Sequence, residues 1–418
     1  MTHRVGQQRG VSRRTILREL AGLAVVGIAG GSLVWLTNVQ ESHVSGMGLI
    51  NQARTSPSAV AAQSITPSGM MFGVDPQHSH VNPGEHFLSP ANVSQLQVNW
   101  TASTGGFIES SPTVVNGVVY VGSGDSKLYA FNAFTGNTLW SATIGGPIRS
   151  SPAVANDVVY VGCDDHKLYV FDAPTGNTFW AAATGGFIRS SPVITNSVFY
   201  VGSDDHTLYA FNTAAGGSLW NAFARDFIES SPAIDKGVVY VGSGDFKLYA
   251  FNASSGAFLW AASTGNHIFS SPAVADGIVY IGSDDHKFYA FNASTGALVW
   301  VASTGGFVRS SPAVANGVVY IGSDDHKLYA FNASTGALVW VASTGGFVRS
   351  SPAVANGVVY VGSDDHKLYA FDASTGALLW SASTGGFVRS SPAVANGVVY
   401  VGSDDHKLHA FHVPGTVP

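Results

Sequence analysis

The chain repeats one pattern of apolar and polar positions every forty residues along most of its length. In one copy, residues 358–361 are apolar throughout, residues 368–371 are nearly so, and turn-forming residues separate the two runs. Asn356-Gly357 is a strong hairpin signal, because both central residues of that turn need a positive φ. With residues 347–354 and 377–381, the pattern predicts four short antiparallel strands per copy.

A forty-residue period with four strands predicts an all-β, eight-bladed β-propeller of four-stranded antiparallel blades. Strands that are apolar on both faces fit it, since each blade is covered by a neighbour on either side. Pro352 fits an innermost strand, because proline is tolerated at a sheet edge. The last copy lacks a final tryptophan, so residues 95–103 are predicted to supply its outer strand and close the ring. The repeated tryptophans are Trp100, Trp140, Trp180, Trp220, Trp260, Trp300, Trp340 and Trp380.

The chain before the repeats predicts an export address and a tether. Arg13 and Arg14 precede a stretch without charges over residues 20–36, which resembles a twin-arginine export signal. Residues 1–36 are therefore predicted to be a signal or an apolar helical membrane anchor, with cleavage and retention both open. A cytosolic protein with a chance apolar helix is the alternative. Residues 37–70 are polar and predict a flexible linker, and residues 71–418 predict the propeller.

Composition narrows the classes of function. Charged residues make up only 11% of the chain and the formal charge is −6, whereas nucleic-acid binders normally show a basic stripe. Nucleic acid is therefore not an expected partner. The single cysteine, Cys163, excludes an internal disulfide. It stands where other copies have serine, which predicts a small buried or turn residue, with a reactive thiol as the alternative.

One segment of the repeat resembles a known family. Residues 370–380 read A-F-D-A-S-T-G-A-L-L-W, which resembles the tryptophan-docking motif of the pyrroloquinoline quinone (PQQ) dehydrogenases and their non-enzymatic relatives. The resemblance implies eight blades, with each indole packed against the peptide around the glycine of the neighbouring motif. For the enzymes it also implies PQQ with Ca²⁺ near the axis. This chain cannot form their vicinal disulfide with one cysteine, and no calcium-ligand set matches position by position.

A first candidate for chemistry is the Asp-Asp-His turn, which recurs at residues 164, 204, 284, 324, 364 and 404. Carboxylates beside an imidazole are typical of metal ligands. However, the turns lie on different blades, too far apart to share one ion, and Ser126 and Phe246 replace the histidine in two copies. The turns are therefore predicted to have a structural role rather than to bind a metal ion.

A second candidate is the position before Ser-Ser-Pro, which changes sign while the surrounding repeat hardly changes. It lies on the predicted innermost strand, so its side chains should gather around the axis. Five arginines with two glutamates predict a locally positive, partly paired ring suited to a protein partner or a small anionic ligand. Arg–Glu pairing that only lines a wet channel is the alternative. The ring comprises Glu109, Arg149, Arg189, Glu229, Phe269, Arg309, Arg349 and Arg389.

Near-identical copies favour a scaffold over an enzyme, because an active site needs distinct residues that converge on one transition state. The first hypothesis is an exported, membrane-tethered or periplasmic propeller that binds protein or ligand as a single ring, without catalysis. The second is a quinoprotein oxidoreductase of the alcohol or sugar dehydrogenase type that uses PQQ and Ca²⁺. A ligand sensor built on the arginine ring is the third.

Overall fold

A computed structural model of the protein describes residues 71–415, so the expected signal, anchor and linker lie outside the described residues. Within that range the strands form eight four-stranded antiparallel sheets. The first strands of neighbouring sheets contact one another, so they are the innermost strands of a propeller. The predicted eight-bladed fold is therefore correct.

The strands follow the forty-residue period from blade to blade. A short 3-10 helix (Val93–Gln95) precedes β1 (Gln97–Ser103). Blades one and two contain β2 (Thr113–Val115), β3 (Val118–Gly122), β4 (Lys127–Asn132), β5 (Thr138–Thr143), β6 (Ala153–Ala155), β7 (Val158–Gly162), β8 (Lys167–Asp172) and β9 (Thr178–Ala183). Blades three and four contain β10 (Val193–Thr195), β11 (Val198–Gly202), β12 (Thr207–Asn212), β13 (Ser218–Phe223), β14 (Ala233–Asp235), β15 (Val238–Gly242), β16 (Lys247–Asn252) and β17 (Phe258–Ser263). Blades five and six contain β18 (Ala273–Ala275), β19 (Ile278–Ser283), β20 (Lys287–Asn292), β21 (Leu298–Ser303), β22 (Ala313–Ala315), β23 (Val318–Ser323), β24 (Lys327–Asn332) and β25 (Leu338–Ser343). Blades seven and eight contain β26 (Ala353–Ala355), β27 (Val358–Ser363), β28 (Lys367–Asp372), β29 (Leu378–Ser383), β30 (Ala393–Ala395), β31 (Val398–Ser403) and β32 (Lys407–His412).

The innermost strands are shorter than predicted. In blade seven, β26 begins at Ala353, whereas the sequence pattern extended the strand back to residue 347. Pro352 has no N–H to donate to a ladder, and the N–H of Ser351 donates instead to Ser391 Oγ in the next blade, at 3.0 Å. The predicted turn is confirmed, with φ of 43° at Asn356 and 81° at Gly357.

The eighth sheet contains strands from both ends of the repeat region. β1 pairs antiparallel with β32, and the sheet continues through β31 to β30. The register shifts between Val98 and Trp100, which indicates a bulge. Val98 is therefore 56% exposed while Trp100 is buried, although simple alternation would put them on one face.

The tryptophans join each blade to the next. Trp100 Nε1 donates to the carbonyl of Ala133 at 3.0 Å, and the same oxygen accepts from the Tyr400 hydroxyl at 3.1 Å. A Cβ on Gly136 would stand 2.6 Å from the Trp100 ring, so the indole lies directly against that glycine. In the last interface Trp380 Nε1 donates to the carbonyl of Leu96, which lies directly before β1, at 2.9 Å.

Candidate binding site at the axis

Two serines in every Ser-Ser-Pro segment hold the innermost strands together. The first serine binds within its own blade, as Ser350 Oγ does when it accepts from Gly362 N–H at 3.0 Å. The second binds between blades, and Ser391 N–H donates to Ser111 Oγ at 2.9 Å across the last junction. The inter-blade bonds thus run completely around the axis, through Ser111, Ser151, Ser191, Ser231, Ser271, Ser311, Ser351 and Ser391.

The variable position lies directly before these serines, so its side chains surround one end of the axis. The first aspartate of each Asp-Asp-His turn reaches the same end. Arg349, for example, donates to Asp324 of the preceding blade at 3.2 Å and lies 3.5 Å from Asp364 of its own blade. Its guanidinium carbon is also 4.8 Å from the centre of the Phe347 ring. The variable position and the turns were separate candidates in the sequence, whereas the structure brings them together and adds the phenylalanine two residues before the arginine.

Every blade contributes one carboxylate to this end of the axis. We call these carboxylates, together with the eight variable residues, the axial ring. The two blades with glutamate at the variable position have Gly124 or Gly244 in place of the turn aspartate. The sequence alone shows this exchange, because each copy with glutamate at the variable position has glycine in place of the first aspartate of the turn. The carboxylates of the axial ring belong to Glu109, Asp164, Asp204, Glu229, Asp284, Asp324, Asp364 and Asp404.

The axial ring has more carboxylates than cations. Eight carboxylates and five arginines give a formal charge of −3 when all are ionised. The five arginines and two glutamates of the variable position alone give +3, and the six turn aspartates, which the prediction from sequence did not include, account for the difference. Burial, together with the nearby Glu229 carboxylate, raises the pKa of Asp204 to about 6.

The rest of the Asp-Asp-His turn serves the fold. Asp125, in the equivalent second position, accepts from the Tyr129 hydroxyl at 2.6 Å and from Gly105 N–H at 2.9 Å. His366 has a φ of 69°, and its ring packs edge-on against Phe387 with centroids 5.1 Å apart. Among residues 71–415, no group of three or more His, Cys, Asp or Glu side chains could hold a metal ion.

Cys163 is buried and makes the same kind of contact as the serines at the equivalent position of other blades. Its side chain is fully buried, and Sγ lies 3.2 Å from the carbonyl oxygen of Gly146. Burial raises the pKa of the thiol to about 12, so the reactive thiolate is disfavoured at neutral pH. The interpretation of Cys163 as a small buried residue is confirmed.

The axial ring is interrupted by aromatic residues between blades four and five. Phe269 replaces arginine, and its ring stacks on Phe227 with centroids 5.3 Å apart. His267 lies 5.7 Å from Phe227 and 4.8 Å from Phe246, again between centroids. Gly244 allows this arrangement, because a Cβ there would collide with the Phe227 ring. Phe269 was predicted from the sequence only as a member of the variable ring, and its contact with Phe227 and His267 was not predicted.

Residues 71–88 cover the opposite end of the innermost strands. The N–H groups of Ile234, Val274 and Val354 donate to the carbonyls of Pro76, Gln77 and His80, at 2.6, 2.9 and 2.8 Å respectively. The edges of four successive blades, four to seven, are satisfied in this way, the remaining bond joining Val314 to Ser79. Backbone carbonyls make these contacts, so no side-chain pattern indicated them.

Two histidines of this covering segment are buried and neutral. Burial lowers the pKa of His78 to about 4 and that of His80 to about 3. Phe72 packs edge-on against both rings, with centroid distances of 5.3 and 4.9 Å. Acid should therefore weaken this end of the propeller before it affects the blades.

The axial ring does not fit the calcium that accompanies PQQ in the dehydrogenases. Ca²⁺ takes six to eight oxygen ligands that converge on one point. Here Asp284 and Asp324 each accept from arginine at 2.9 to 3.2 Å, and the carboxylates are spread one per blade. Arginines between the carboxylates also place positive charge where a cation would bind.

Solved structures that resemble this fold include two dehydrogenases and BamB. A quinohemoprotein alcohol dehydrogenase from Comamonas testosteroni superposes with a TM-score of 0.74 at 16% identity, over 86% of this chain and 82% of that one. A europium-containing methanol dehydrogenase gives 0.73 at 14% identity, over 83% and 98%. BamB from Moraxella catarrhalis gives 0.66 at 19% identity, over 76% and 99%. At these identities the likeness shows the fold alone.

Further findings concern membrane-spanning helices and the family of the chain. Within the described range, no helix combines the length and apolar character needed to cross a membrane. A comparison with curated proteins gave no match. The family model described as outer membrane protein assembly factor BamB matches residues 21–186, 164–267, 244–346 and 342–415. Because these matches extend over most of the chain, the protein belongs to this PQQ_2 family of PQQ-like repeat propellers.

Proposed function

We propose that this protein is an exported scaffold, tethered to a membrane through its N-terminal segment, that binds a protein partner at the axial ring without catalysis. The observation that carries the proposal is the axial ring itself. Each blade adds one carboxylate to the same end of the axis, and arginines from neighbouring blades hold these groups in place. The result is a fixed charged surface with a net negative charge.

The geometry of the axial ring suits recognition better than reaction chemistry. Its polar groups recur at equal positions around the axis and are held by each other, whereas catalysis needs different groups aimed at one reacting atom. The inter-blade serine bonds keep the surface rigid, so little conformational freedom is lost when a partner binds. The family description, outer membrane protein assembly factor BamB, agrees with a role in assembly.

The covering segment gives the two ends of the axis different roles in this proposal. Residues 71–88 occupy one end, and Met71, where the proposed linker of residues 37–70 would join, is buried there. The axial ring lies at the opposite end. A tether at the covered end would leave the axial ring accessible to a partner. Arg13 and Arg14 support export, because they resemble a twin-arginine signal.

Ring closure by β1 is part of the same proposal. The pairing of β1 with β32 and the bond from Ser391 to Ser111 both join the start of the repeats to their end. A closed ring removes the open edges that would otherwise pair with other chains. We infer that this closure is what makes the protein a single, monomeric platform.

Site-specific photo-crosslinking in membranes tests the proposal. The photoreactive amino acid benzoylphenylalanine replaces His366 at the axial-ring end, where Phe246 shows that an aromatic residue is accommodated in the equivalent turn. Ser334, at the covered end, is the matched control, because Phe134 occupies its equivalent position in blade one. Protein adducts at position 366 and none at position 334 are expected. Adducts only at position 334, or none at either, would contradict the proposal.

The alternative is a PQQ-dependent oxidoreductase, which the alcohol and methanol dehydrogenases among the similar structures suggest through the shared fold. Purified protein should then show quinone absorbance, bound calcium and dye-linked oxidation of alcohols or sugars. Reconstitution with PQQ and Ca²⁺ before the assay makes the test stringent. Oxidation that depends on both additions would replace the scaffold proposal.

A further inference from the structure

Four hairpin turns at the covered end have the sequence Asn-Gly, in which asparagine deamidates readily because glycine leaves its own nitrogen unhindered. In that reaction the backbone nitrogen of the glycine loses its proton and attacks the side-chain carbonyl carbon of the asparagine. The bond from that carbon to Nδ2 breaks and ammonia leaves. Water then opens the resulting imide to aspartate or isoaspartate, so water is the only co-reactant. The turns are Asn116-Gly117, Asn316-Gly317, Asn356-Gly357 and Asn396-Gly397.

The turns of blades six, seven and eight form a matched set. Residues 310–320, 350–360 and 390–400 have the same sequence, Ser-Ser-Pro-Ala-Val-Ala-Asn-Gly-Val-Val-Tyr. The asparagine backbones also agree, with φ of 50°, 43° and 52° in blades six, seven and eight. The intrinsic reactivity of the three turns is therefore the same, and a difference in rate must come from their surroundings.

The covering segment holds one reacting nitrogen in each of two turns. In blade eight it holds the attacking nitrogen, because Gly397 N–H donates to the buried Glu85 carboxylate at 2.9 Å. In blade seven it holds the leaving nitrogen, because Asn356 Nδ2 donates to the carbonyl of Leu88 at 2.8 Å. Phe87 also lies against the blade-eight turn, since a Cβ on the glycine would stand 3.1 Å from it.

Neither nitrogen is held in blade six. Among residues 71–415, no acceptor lies within hydrogen-bond distance of Asn316 Nδ2 or Gly317 N–H. A Cβ on Gly317 would meet nothing within 4 Å. Asn316 is exposed and lines an open groove with Asp75 and His86, so water reaches it. A turn without these ties opens more often than one that is tied to the covering segment.

We propose that Asn316 is a site of spontaneous deamidation and that the covering segment protects Asn356 and Asn396 from the same reaction. The hairpin must open before the imide forms, because the imide ring imposes a backbone shape at asparagine that the turn does not have. In blades seven and eight a hydrogen bond must break as well, so the reactive open state is rarer there. One such bond slows the reaction by about threefold to tenfold.

The product changes the covered end in two ways. Aspartate is tolerated in the turn, since Asp276 stands at this position in blade five with a φ of 50°. Isoaspartate adds a methylene to the backbone and distorts the two-residue turn between β22 and β23. Deamidation therefore loosens the innermost hairpin of blade six, while the hairpins that the covering segment ties keep their shape.

Peptide mapping of the full-length folded protein after prolonged incubation in mildly alkaline buffer tests this assignment. Trypsin recovers Asn316 in residues 310–327, whereas residues 350–367 and 390–407 give one shared peptide sequence. Ile321 marks the first peptide, because the shared peptide has valine at the equivalent position. The deamidated fraction should grow about threefold to tenfold faster in the first peptide. Equal rates in the folded protein would overturn the assignment.

A denaturant and a substitution separate protection from sequence. In urea the turns are unfolded, so both peptides should deamidate at the same rate. Glu85→Ala removes the acceptor of Gly397 N–H, so the shared peptide should deamidate faster while residues 310–327 keep their rate. An unchanged shared peptide would reject protection by the covering segment. Glu85→Gln, a weaker acceptor of similar size, gives the same direction of change if the alanine variant does not fold. Asn316 lies at the end opposite the axial ring, so its deamidation and the capture of a partner are scored independently.

Discussion

Substituting two glycines in blade six would test how much the packing of a tryptophan from the preceding blade contributes to stability. Gly336 and Gly317 have nearly the same backbone, with φ of 69° and 75°. A Cβ on Gly336 would stand 2.7 Å from two atoms of the Trp300 ring, whereas a Cβ on Gly317 would meet nothing within 4 Å. Substitution by alanine therefore imposes the same backbone strain at both sites and an added collision at only one.

The expected costs follow from these distances. A left-handed alanine costs about 1–2 kcal/mol, which applies to Gly317→Ala and Gly336→Ala alike. Overpacking a tight contact adds about 1–3 kcal/mol, which applies only to Gly336→Ala. The Trp300 indole cannot simply move away, because its Nε1 donates to Ala333 at 2.8 Å. Gly336→Ala should therefore be the more destabilising change by about 1–3 kcal/mol.

Urea denaturation followed by tryptophan fluorescence measures both variants. The midpoint should fall modestly for Gly317→Ala and clearly further for Gly336→Ala. Combining Gly336→Ala with Trp300→Leu should cost less than the sum of the single changes, because the collision is then removed. Equal midpoints for the two glycine variants would refute the reasoning that the indole rests on this glycine.

Three further predictions concern the axis. Ser351→Ala should lower the free energy of unfolding by about 1–3 kcal/mol in calorimetry, since it leaves the buried N–H of Ser311 without its acceptor; a neutral effect would contradict this. Asp204 has a folded-state pKa of about 6, above its ordinary value, so its contribution to stability declines as pH rises from about 4 to 6. Asp204→Asn should therefore raise the melting temperature at pH 7 and not at pH 4. His80 shows the opposite sign, because its folded-state pKa of about 3 lies below the ordinary value and stability is lost as pH falls below about 6.5. His80→Phe should reduce the difference in melting temperature between pH 7 and pH 5, and an unchanged difference would count against the buried neutral imidazole.

The blades could be predicted from sequence because their strands obey a simple period. Residues 358–361 are apolar throughout and lie in β27, which is buried over its full length. β26 was predicted too long, because alternation does not reveal that Ser351 donates across to the next blade. Local patterns thus predicted the pairs within a blade, while bonds between blades changed the limits of the strands.

The variable residues of the axial ring could be predicted from the sequence, but the turn aspartates that join them could not. The arginines were found because they vary within a constant repeat, but their partners, such as Asp324, were assigned to turns. The pairing could have been found from Gly124 and Gly244, which occur in the two copies with glutamate. The covering segment had no such signal, because Pro76 and Gln77 bind through carbonyls that every residue has.

The serine bonds also bear on how the protein folds. Seven of the eight link residues forty positions apart, while the bond from Ser391 to Ser111 spans 280 positions. Bringing distant segments together costs more chain entropy and slows folding. We expect the blades to pack in order along the chain. The outward faces of the first and last blades then stay exposed to solvent until the last junction forms. During synthesis, that interval is when chaperones would have the most apolar surface to bind.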